Sequence, residues 1–280
     1  MQTPIRPGQI EVIGEILPAG VSSAEAFADP RDAVLFPEEA AIMVGAVDKR
    51  CREFTTARHC ARSALAGLGV PPVPILTGEQ GAPQWPPGIV GSITHCAGYR
   101  AAAVARACDM LTIGLDAEPN DELPDGVLEA VSSGGERARL GDLSLVAPGI
   151  CCDRLLFSAK ESVYTAWFPL TGRWLGFEEA DINIDAARGT FNARLLVPGP
   201  VVGSSPLTRF VGRWLVRNGL VLTAIAVPPG LQRERPGRWD ASERPLAPTD
   251  GSSRPLAGTD GSSRPLAGTD RSSWVRLPSE

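Results

Sequence analysis

The sequence predicts an α+β protein made of two halves, and two observations indicate this class. Apolar or alternating segments occur in groups joined by short glycine-containing turns, a pattern typical of antiparallel sheet. Segments with helical character stand between these groups, so the order is strands, helix and strands, then helix and strands again. Helices that are segregated from an antiparallel sheet define the α+β class.

The first half contains a strand segment, a helical region and three further strands. Weak alternation over 10–17 predicts the first strand. Pro37 and the two acids after it mark a helix start, and helical sequence continues, with or without a break, to Gly67 and Gly69. The segments GIVGSITHC and YRAAAVAR predict two strands around a turn at Gly98, and DMLTIGLDAE predicts another.

The second half contains one long helix followed by a closing sheet. The helix is predicted over Cys152–Phe168, and Pro169 is expected to end it. The segments ADINIDAARGTFNARLLV, RFVGRWLVRNG and LVLTAIAV follow it and carry turn signals at Gly189 and Gly219. Together these segments predict an antiparallel sheet.

The C-terminal region repeats a decapeptide, as in GSSRPLAGTD, that is rich in Pro, Gly, Ser, Thr and Asp. Each copy has one leucine and no aromatic residue, so it buries too little apolar surface to offset the entropy of ordering. We therefore predict two halves at 1–117 and 118–228 and a disordered tail at 229–280. A tether function and a neutral repeat expansion both remain open for the tail.

The composition excludes several classes of protein. A net charge of −5 gives no indication of a nucleic-acid partner. No apolar run approaches the roughly 18 residues of a membrane span, and the N-terminus lacks the basic and apolar regions of a signal peptide. The six cysteines form no C-x-x-C pair, which favours reduced thiols. We expect a cytoplasmic protein without membrane contact.

Three acidic residues have the pattern of a metal site. Asp116 and Glu118 form a D-x-E pair at a strand end, where residues two apart point to the same face. Glu161 lies in the predicted helix of the second half. Three carboxylates suit a hard cation such as Mg²⁺, with Mn²⁺ as the alternative. The spacing alone is equally compatible with turn-capping acids and a solvated helix glutamate.

Basic residues on the long helix of the first half add the pattern of a phosphate site. Arg50, Phe54 and Arg58 fall at i, i+4 and i+8, so they share one side of the helix. Arginine binds phosphate in a bidentate manner, but an exposed basic face gives the same spacing. Of the two histidines, His95 stands at a strand end and is better placed for a ligand than His59.

Several blocks of the sequence, taken in order, resemble a known family. The segments GSITHCAGYRAAAVA, IGLDAEP and FSAKESVYTAWFPLTGRWLGFEEADI resemble the signature blocks of 4′-phosphopantetheinyl transferases. The type is that of the enterobactin-synthase and actinobacterial carrier-protein-activating enzymes. KRCREFTTARHCAR and GAPQWPPGIVGS also match. The resemblance covers about 10–227.

The resemblance implies a fold and a reaction. The fold is two similar α+β halves related by a pseudo-twofold axis, with coenzyme A in the cleft between them. The reaction moves the phosphopantetheine arm of coenzyme A onto a serine of an apo acyl or peptidyl carrier protein. Adenosine 3′,5′-bisphosphate is the other product, Mg²⁺ is required, and the enzyme is expected to be a monomer.

The resemblance also implies roles for the acids and their neighbouring lysine. Asp116, Glu118 and Glu161 would face a Mg²⁺ that also grips the coenzyme A diphosphate, which would relieve the repulsion between the first two. Glu161 would accept the proton of the carrier serine, directly or through a water. Lys160 would contact the diphosphate and stabilise charge as the bridging oxygen leaves.

The nucleotide end of coenzyme A would be held by the first half. The resemblance implies that Arg50 and Arg58 bind the 3′-phosphate. Thr94 and His95 would contact the same end of the nucleotide, with a hydrogen bond from His95 to that phosphate. Leu175 would border the cleft.

The sequence departs from the family pattern at three positions. Related sequences usually carry lysine at the position of Thr165, and often a basic residue at Thr77 or Gln80. These departures predict an active enzyme with weaker coenzyme A binding. The alternatives are a catalytically weak, coenzyme A-binding regulatory protein and a Mg²⁺-dependent phosphatase. The retained acids argue against the first, and the arginine helix with the GSITHC block argues against the second.

Overall fold

The computed structural model of the chain describes residues 12–230. It is an α+β fold in which all strand pairs are antiparallel, as predicted. The described strands are β1 Ser22–Ala26, β2 Ile89–Cys96, β3 Tyr99–Arg106, β4 Thr112–Pro119, β5 Ala180–Asp185, β6 Thr190–Leu195, β7 Val201–Val202, β8 Ser205–Pro206, β9 Arg209–Arg217 and β10 Leu220–Val227. The described α-helices are α1 Pro37–Ile42, α2 Asp48–Gly67, α3 Val127–Val131, α4 Gly134–Val146 and α5 Cys152–Thr171.

The two main sheets differ from the predicted sets of strands at β4, which was predicted with the first half but pairs with β10 in the second sheet. The first has the order β1-β3-β2, and α2 packs on it through a core that includes Leu65, Ile75 and Val104. The second has the order β4-β10-β9-β6-β5, and α5 packs on one of its faces around Trp167 and Phe191. The short strands β7 and β8 form a separate hairpin.

A third core joins the two sheets. It combines Tyr99 and Ala101 of the first sheet with Leu115 and Leu222 of the second. The strand β4, at the edge of the larger sheet, also contacts β2, and the Leu115 amide donates to the Ser92 hydroxyl at 3.1 Å. The predicted boundary between 117 and 118 falls inside β4 and stays a prediction, as does the pseudo-twofold relation.

The helix α5 lies close to β4. A Cβ atom placed on Gly114 would stand 2.0 Å from the Ser162 carbonyl oxygen and 2.8 Å from the Ala166 Cβ. Glycine at this position therefore allows the backbone of α5 to approach the strand. The Thr112 hydroxyl donates to the Ala166 carbonyl at 2.9 Å and fixes the same contact.

Two predicted elements differ from the structure. The strand predicted over 10–17 is a 3₁₀ helix at Ile13–Ile16 in its described part, because the Glu25 carboxylate accepts the amides of Val12 and Ile13 and curls the chain there. The helix expected to end at Pro169 continues to Thr171, since Pro169 lies in the last turn, where only one helical hydrogen bond is lost.

All six cysteines are free thiols, as predicted. Between residues 12 and 230, no helix is both long and apolar enough to cross a membrane. The predicted disordered tail lies outside the described residues, apart from its first two.

Candidate active site

The helix α2 brings Arg50, Phe54 and Arg58 to one side, as their spacing predicts. Arg50 is exposed, whereas Arg58 is buried with its guanidinium 4.1 Å from the centre of the Phe54 ring. Arg58 Nε donates to the Ile75 carbonyl at 2.7 Å, and its Nη2 donates to the Thr77 hydroxyl at 3.2 Å. Two of the Arg58 nitrogens therefore hold the segment that follows α2.

The imidazole of His95 lies at the end of β2 beside Arg50. Arg50 Nη1 is 3.2 Å from His95 Nε2, and because arginine can only donate, Nε2 accepts. Removal from water, together with the charges of Arg50, Arg100 and other cations, lowers the pKa of His95 to about 4. The imidazole is therefore neutral at physiological pH, and its surroundings favour an anion.

The carboxyl groups of Asp116 and Glu161 are buried and incompletely hydrogen-bonded. Asp116 Oδ2 and Glu161 Oε1 have no hydrogen-bond partner. Burial and the charge of Glu118 raise the pKa of Glu161 to about 8. Burial, with the charges of Glu118 and Glu161, raises the pKa of Asp116 well above its usual range. Two buried acceptors without donors are a pattern that a cation or a proton completes.

The third acid, Glu118, has a different partner. Its carboxylate accepts from Arg154 Nη1 at 3.0 Å, and both side chains are largely buried. Burial raises the pKa of Glu118 despite this cation. Within the described part of the chain, no three His, Cys, Asp or Glu side chains are grouped so as to hold a metal. The orphaned oxygens of Asp116 and Glu161 nevertheless fit one.

The side chain of Lys160 points away from these acids into the protein. Its Nζ is 3.1 Å from Glu136 Oε1, 2.6 Å from the Phe177 carbonyl and 3.0 Å from the Ala180 carbonyl. All three ammonium protons therefore have acceptors. Contact with a diphosphate, as expected from the resemblance, would require Lys160 to leave at least one of them.

An apolar cavity of about 300 Å³ lies between the two halves of the fold. Its walls include Trp85 and Ile93 of the first half and Phe168 of α5. Thr165 and Gln80, two of the positions that depart from the family pattern, both line it. Thr94 is buried in β2 near this region, and the buried Leu175 lines a smaller cavity that also contacts Lys160.

The acids of β4 lie near the end of β2. Cys96, the residue after His95, has its pKa raised to about 12 by burial and by the charges of Glu118 and Asp116. That Arg50, Arg58 and His95 share one cleft with these acids stays a prediction.

Three residues at or near the site were not predicted from the sequence. Arg154 and Glu136 pair with Glu118 and Lys160 across long sequence separations, which leave no local signal. Tyr164 has a buried hydroxyl without a partner, and its ring centre is 4.5 Å from that of Trp174. The sequence did contain a signal for Tyr164, because it lies three residues after Glu161 in α5 and therefore on the same side of the helix.

Comparison with known proteins gives the family. Residues 38–105 match the 4′-phosphopantetheinyl transferase N-terminal domain, and residues 112–200 match the 4′-phosphopantetheinyl transferase superfamily. The chain is 55% identical over 228 residues to the 4′-phosphopantetheinyl transferase Svp of Streptomyces mobaraensis, covering 80% of this chain and 93% of Svp. The chain belongs to the 4′-phosphopantetheinyl transferase superfamily.

Other members of the 4′-phosphopantetheinyl transferase superfamily match over a similar range. The transferase Npt of Nocardia iowensis is 53% identical, with 77% of this chain and 99% of Npt covered. The transferase PptT of Mycobacterium tuberculosis is 49% identical, with 77% of this chain and 98% of PptT covered. The predicted family and the predicted enzyme class are confirmed.

Proposed function

We propose that this phosphopantetheinyl transferase moves the 4′-phosphopantetheine arm of coenzyme A onto a serine of an apo acyl or peptidyl carrier protein. The observation that supports the proposal is the presence of two groups of side chains with complementary chemistry. Arg50, Arg58 and the neutral His95 offer donors to phosphate, and Asp116 and Glu161 carry buried carboxylate oxygens without partners. A polyphosphate donor with a bound divalent cation complements both clusters.

The cationic cluster would hold the nucleotide end of the donor. Arg50 is exposed and contacts His95, whereas Arg58 is anchored through Ile75 and Thr77. Together with His95 they would bind the 3′-phosphate, and Thr94 would lie beside it. The reacting diphosphate would then extend toward the acids.

The acidic cluster would hold Mg²⁺, or Mn²⁺ in its place. Asp116, Glu118 and Glu161 are the ligands we assign, and Glu118 would exchange its bond to Arg154 for the cation. The ion supplies charge neutralisation at the diphosphate when bound.

Glu161 would act as the general base. The serine oxygen of the carrier forms a bond to the β-phosphorus while the bond from that phosphorus to the leaving phosphate breaks, and the serine proton passes to Glu161 directly or through a water. Adenosine 3′,5′-bisphosphate then leaves. Burial and the charge of Glu118 raise the pKa of Glu161 to about 8 in the metal-free protein, and a bound cation would lower it and favour the ionised form that accepts a proton.

The test is a transfer assay with coenzyme A, Mg²⁺ and a panel of purified apo carrier proteins. The expected result is a mass gain of one phosphopantetheine arm on a carrier serine, lost in EDTA and restored by Mg²⁺. The matched control is the same carrier with that serine changed to alanine. Tight coenzyme A binding without any mass gain across the panel would instead support the regulatory alternative.

A further inference from the structure

The side chain of Lys160 joins three separate parts of the second half. Its buried ammonium group contacts the Glu136 carboxylate of α4 at 3.1 Å, the Phe177 carbonyl at 2.6 Å and the Ala180 carbonyl at 3.0 Å. Phe177 belongs to the segment 172–179, which connects α5 to β5. Lys160 therefore ties α5 to both the segment that follows it and the neighbouring helix.

Glu136 completes this arrangement from the other side. Its Oε1 accepts the Ile182 amide of β5 at 2.8 Å as well as the Lys160 ammonium, and its Oε2 accepts the Ser133 amide at 2.8 Å. The carboxylate is almost fully buried, and its oxygens are used by two backbone amides and one cation. Such complete satisfaction is what fixes a buried charged group in one place.

We propose that Glu136 and Lys160 form a positioning pair, referred to below as the α4–α5 lock, and that Lys160 acts on the reaction through it and not by touching the diphosphate. The lock holds the segment 172–179 against α5, where Leu175 and Tyr164 line a small cavity beside Lys160. Because Glu161 directly follows Lys160, the same contacts set the position of the general base relative to Asp116. This inference rests on the proposed transfer function.

A direct role for Lys160 conflicts with its surroundings. Reaching a phosphate would remove the only cation in contact with the buried Glu136 among the described salt bridges. The Phe177 and Ala180 carbonyls would lose their charged donor at the same time. Breaking one side of a buried pair is strongly unfavourable, so the bound state is expected to keep the lock intact.

The first experiment compares Glu136→Gln, Lys160→Met and the double variant, with kcat and KM for coenzyme A measured for each. We expect each single change to lower kcat by about 10- to 100-fold through misplacement of Glu161, with KM within about twofold. The double variant should be no worse than the worse single variant, because both act through one contact. If Lys160→Met alone fails to fold, the double variant replaces it in the comparison with the wild type, because the double variant has no buried carboxylate left without a cation.

Arg139 provides the matched control. It also ties α4 to β5, through Asp181 at 2.7 Å and the Ile182 carbonyl at 2.8 Å, but it does not touch Lys160. Arg139→Met should leave kcat within about twofold, since it weakens the attachment of α4 without releasing α5. An equal loss of kcat in Arg139→Met would show that any weakening of the attachment of α4 lowers kcat. That result would overturn the proposal.

A second readout does not depend on activity. Arg173 lies in the segment held by the lock, and its side chain is 49% exposed. Release of the lock should speed tryptic cleavage after Arg173 about tenfold, through local opening of that segment, while Arg139→Met should not. This measurement tests the lock even if no carrier protein is modified by the wild type, an outcome that would instead overturn the proposed function.

Two further results, one on coenzyme A binding and one on turnover, would overturn the lock. One is a weaker affinity for coenzyme A in Lys160→Met that Glu136→Gln does not share, because only a direct phosphate contact predicts it. The other is a double variant whose loss of kcat equals the product of the two single losses, because independent roles multiply. An unchanged rate of cleavage after Arg173 in all variants would likewise show that the segment is held by other contacts.

Discussion

The two orphaned carboxylate oxygens make the metal-free protein sensitive to pH. The pKa of Glu161 is raised from 4.5 to about 8, so between these values the folded state keeps a proton that the unfolded chain has released. Stability therefore falls as pH rises through this interval. The pKa of His95 moves the other way, from 6.5 to about 4, and the stability it adds as pH rises is complete by pH 6.5. The interval between pH 6.5 and 8 thus isolates the acids.

We predict that Glu161→Gln removes much of the pH dependence in that interval. In EDTA, the melting temperature of the wild type should fall between pH 6.5 and 8, and that of the variant should fall less. The same change should lower kcat at least about 100-fold, because the base is lost. Thermal scans across pH, with a transfer assay alongside, make the measurement. Equal slopes in the two proteins would mean that Glu161 is already ionised.

The two arginines of α2 are predicted to behave differently. Arg58→Ala should cost about 2–3 kcal/mol of unfolding free energy, because it removes a buried guanidinium that binds Ile75 and Thr77. Arg50→Ala should change stability by less than about 0.5 kcal/mol, because Arg50 is exposed. Urea unfolding gives both values.

Binding separates the arginines further. Arg50→Ala should weaken the binding of adenosine 3′,5′-bisphosphate about tenfold or more, measured by calorimetry, because a charged hydrogen bond is lost. Arg213→Ala, a change of an exposed arginine on the distant strand β9, serves as the control. Unchanged affinity in Arg50→Ala would remove Arg50 from the proposed nucleotide site.

At the scale of elements, the sequence predicted those whose signal is local. The strands β2, β3 and β10 are rich in apolar residues, and each borders a glycine turn, at Gly98 or Gly219. The strand β1 was missed because its sequence, SSAEA, has little strand propensity and is extended through pairing with β3. The helix α4 was also missed, because it begins with two glycines. The one local signal of its start was the capping box from Ser133 to Glu136.

The site was predictable only in part for the same reason. The D-x-E pair and the arginine spacing are local patterns, so the sequence brought the right residue types forward. The partners of Glu118 and Lys160 are set by packing between elements that are distant in sequence. Lys160, next to Glu161 in sequence, contacts Glu136 and the carbonyls of Phe177 and Ala180, and no local pattern reveals these partners.

The helix α5 offers a test of the departure at Thr165. Its hydroxyl donates to the Ser162 carbonyl at 3.1 Å, and the side chain lines the apolar cavity of about 300 Å³ between the halves. A lysine there has room to extend toward a diphosphate. We predict that Thr165→Lys lowers KM for coenzyme A several-fold at low salt and less at high salt, because a partly exposed charge is screened.

The control for this prediction is Thr165→Met, which matches lysine in length without its charge. It should leave KM unchanged at both salt concentrations. A lower KM in both variants would show that filling the cavity, and not charge, strengthens binding. An unchanged or higher KM in Thr165→Lys would place Thr165 away from the diphosphate.

At the scale of the whole molecule, one core connects both sheets. Tyr99 and Ala101 of the first sheet pack with Leu115 and Leu222 of the second, so neither half has a complete core alone. The two halves are therefore expected to unfold in a single transition. The sequence predicted two halves but not this connection, because the residues that make it are spread over distant strands.

The repeat tail is predicted to contribute nothing to this cooperative unit. Each copy of the decapeptide has one leucine and no aromatic residue, which is too little apolar surface to build a core. Ending the chain after Gly230 should leave the melting temperature within about 2 °C of the full chain and the transfer rate unchanged. Calorimetry and the transfer assay on both chains are the measurements. A drop of several degrees would show that the tail packs against the described residues.

The position of β4 determines where the chain can be divided into two working pieces. This strand follows the first sheet directly in sequence but hydrogen-bonds to β10 of the second. A cut between 107 and 110 leaves β4 with its partner, and each piece then exposes one face of the joining core. Mixing the separately produced pieces should restore transfer, whereas pieces cut at 117 should not reassemble. A cut at this point would allow the two pieces to be fused to two other proteins, so that transfer activity reports the binding of those proteins to each other.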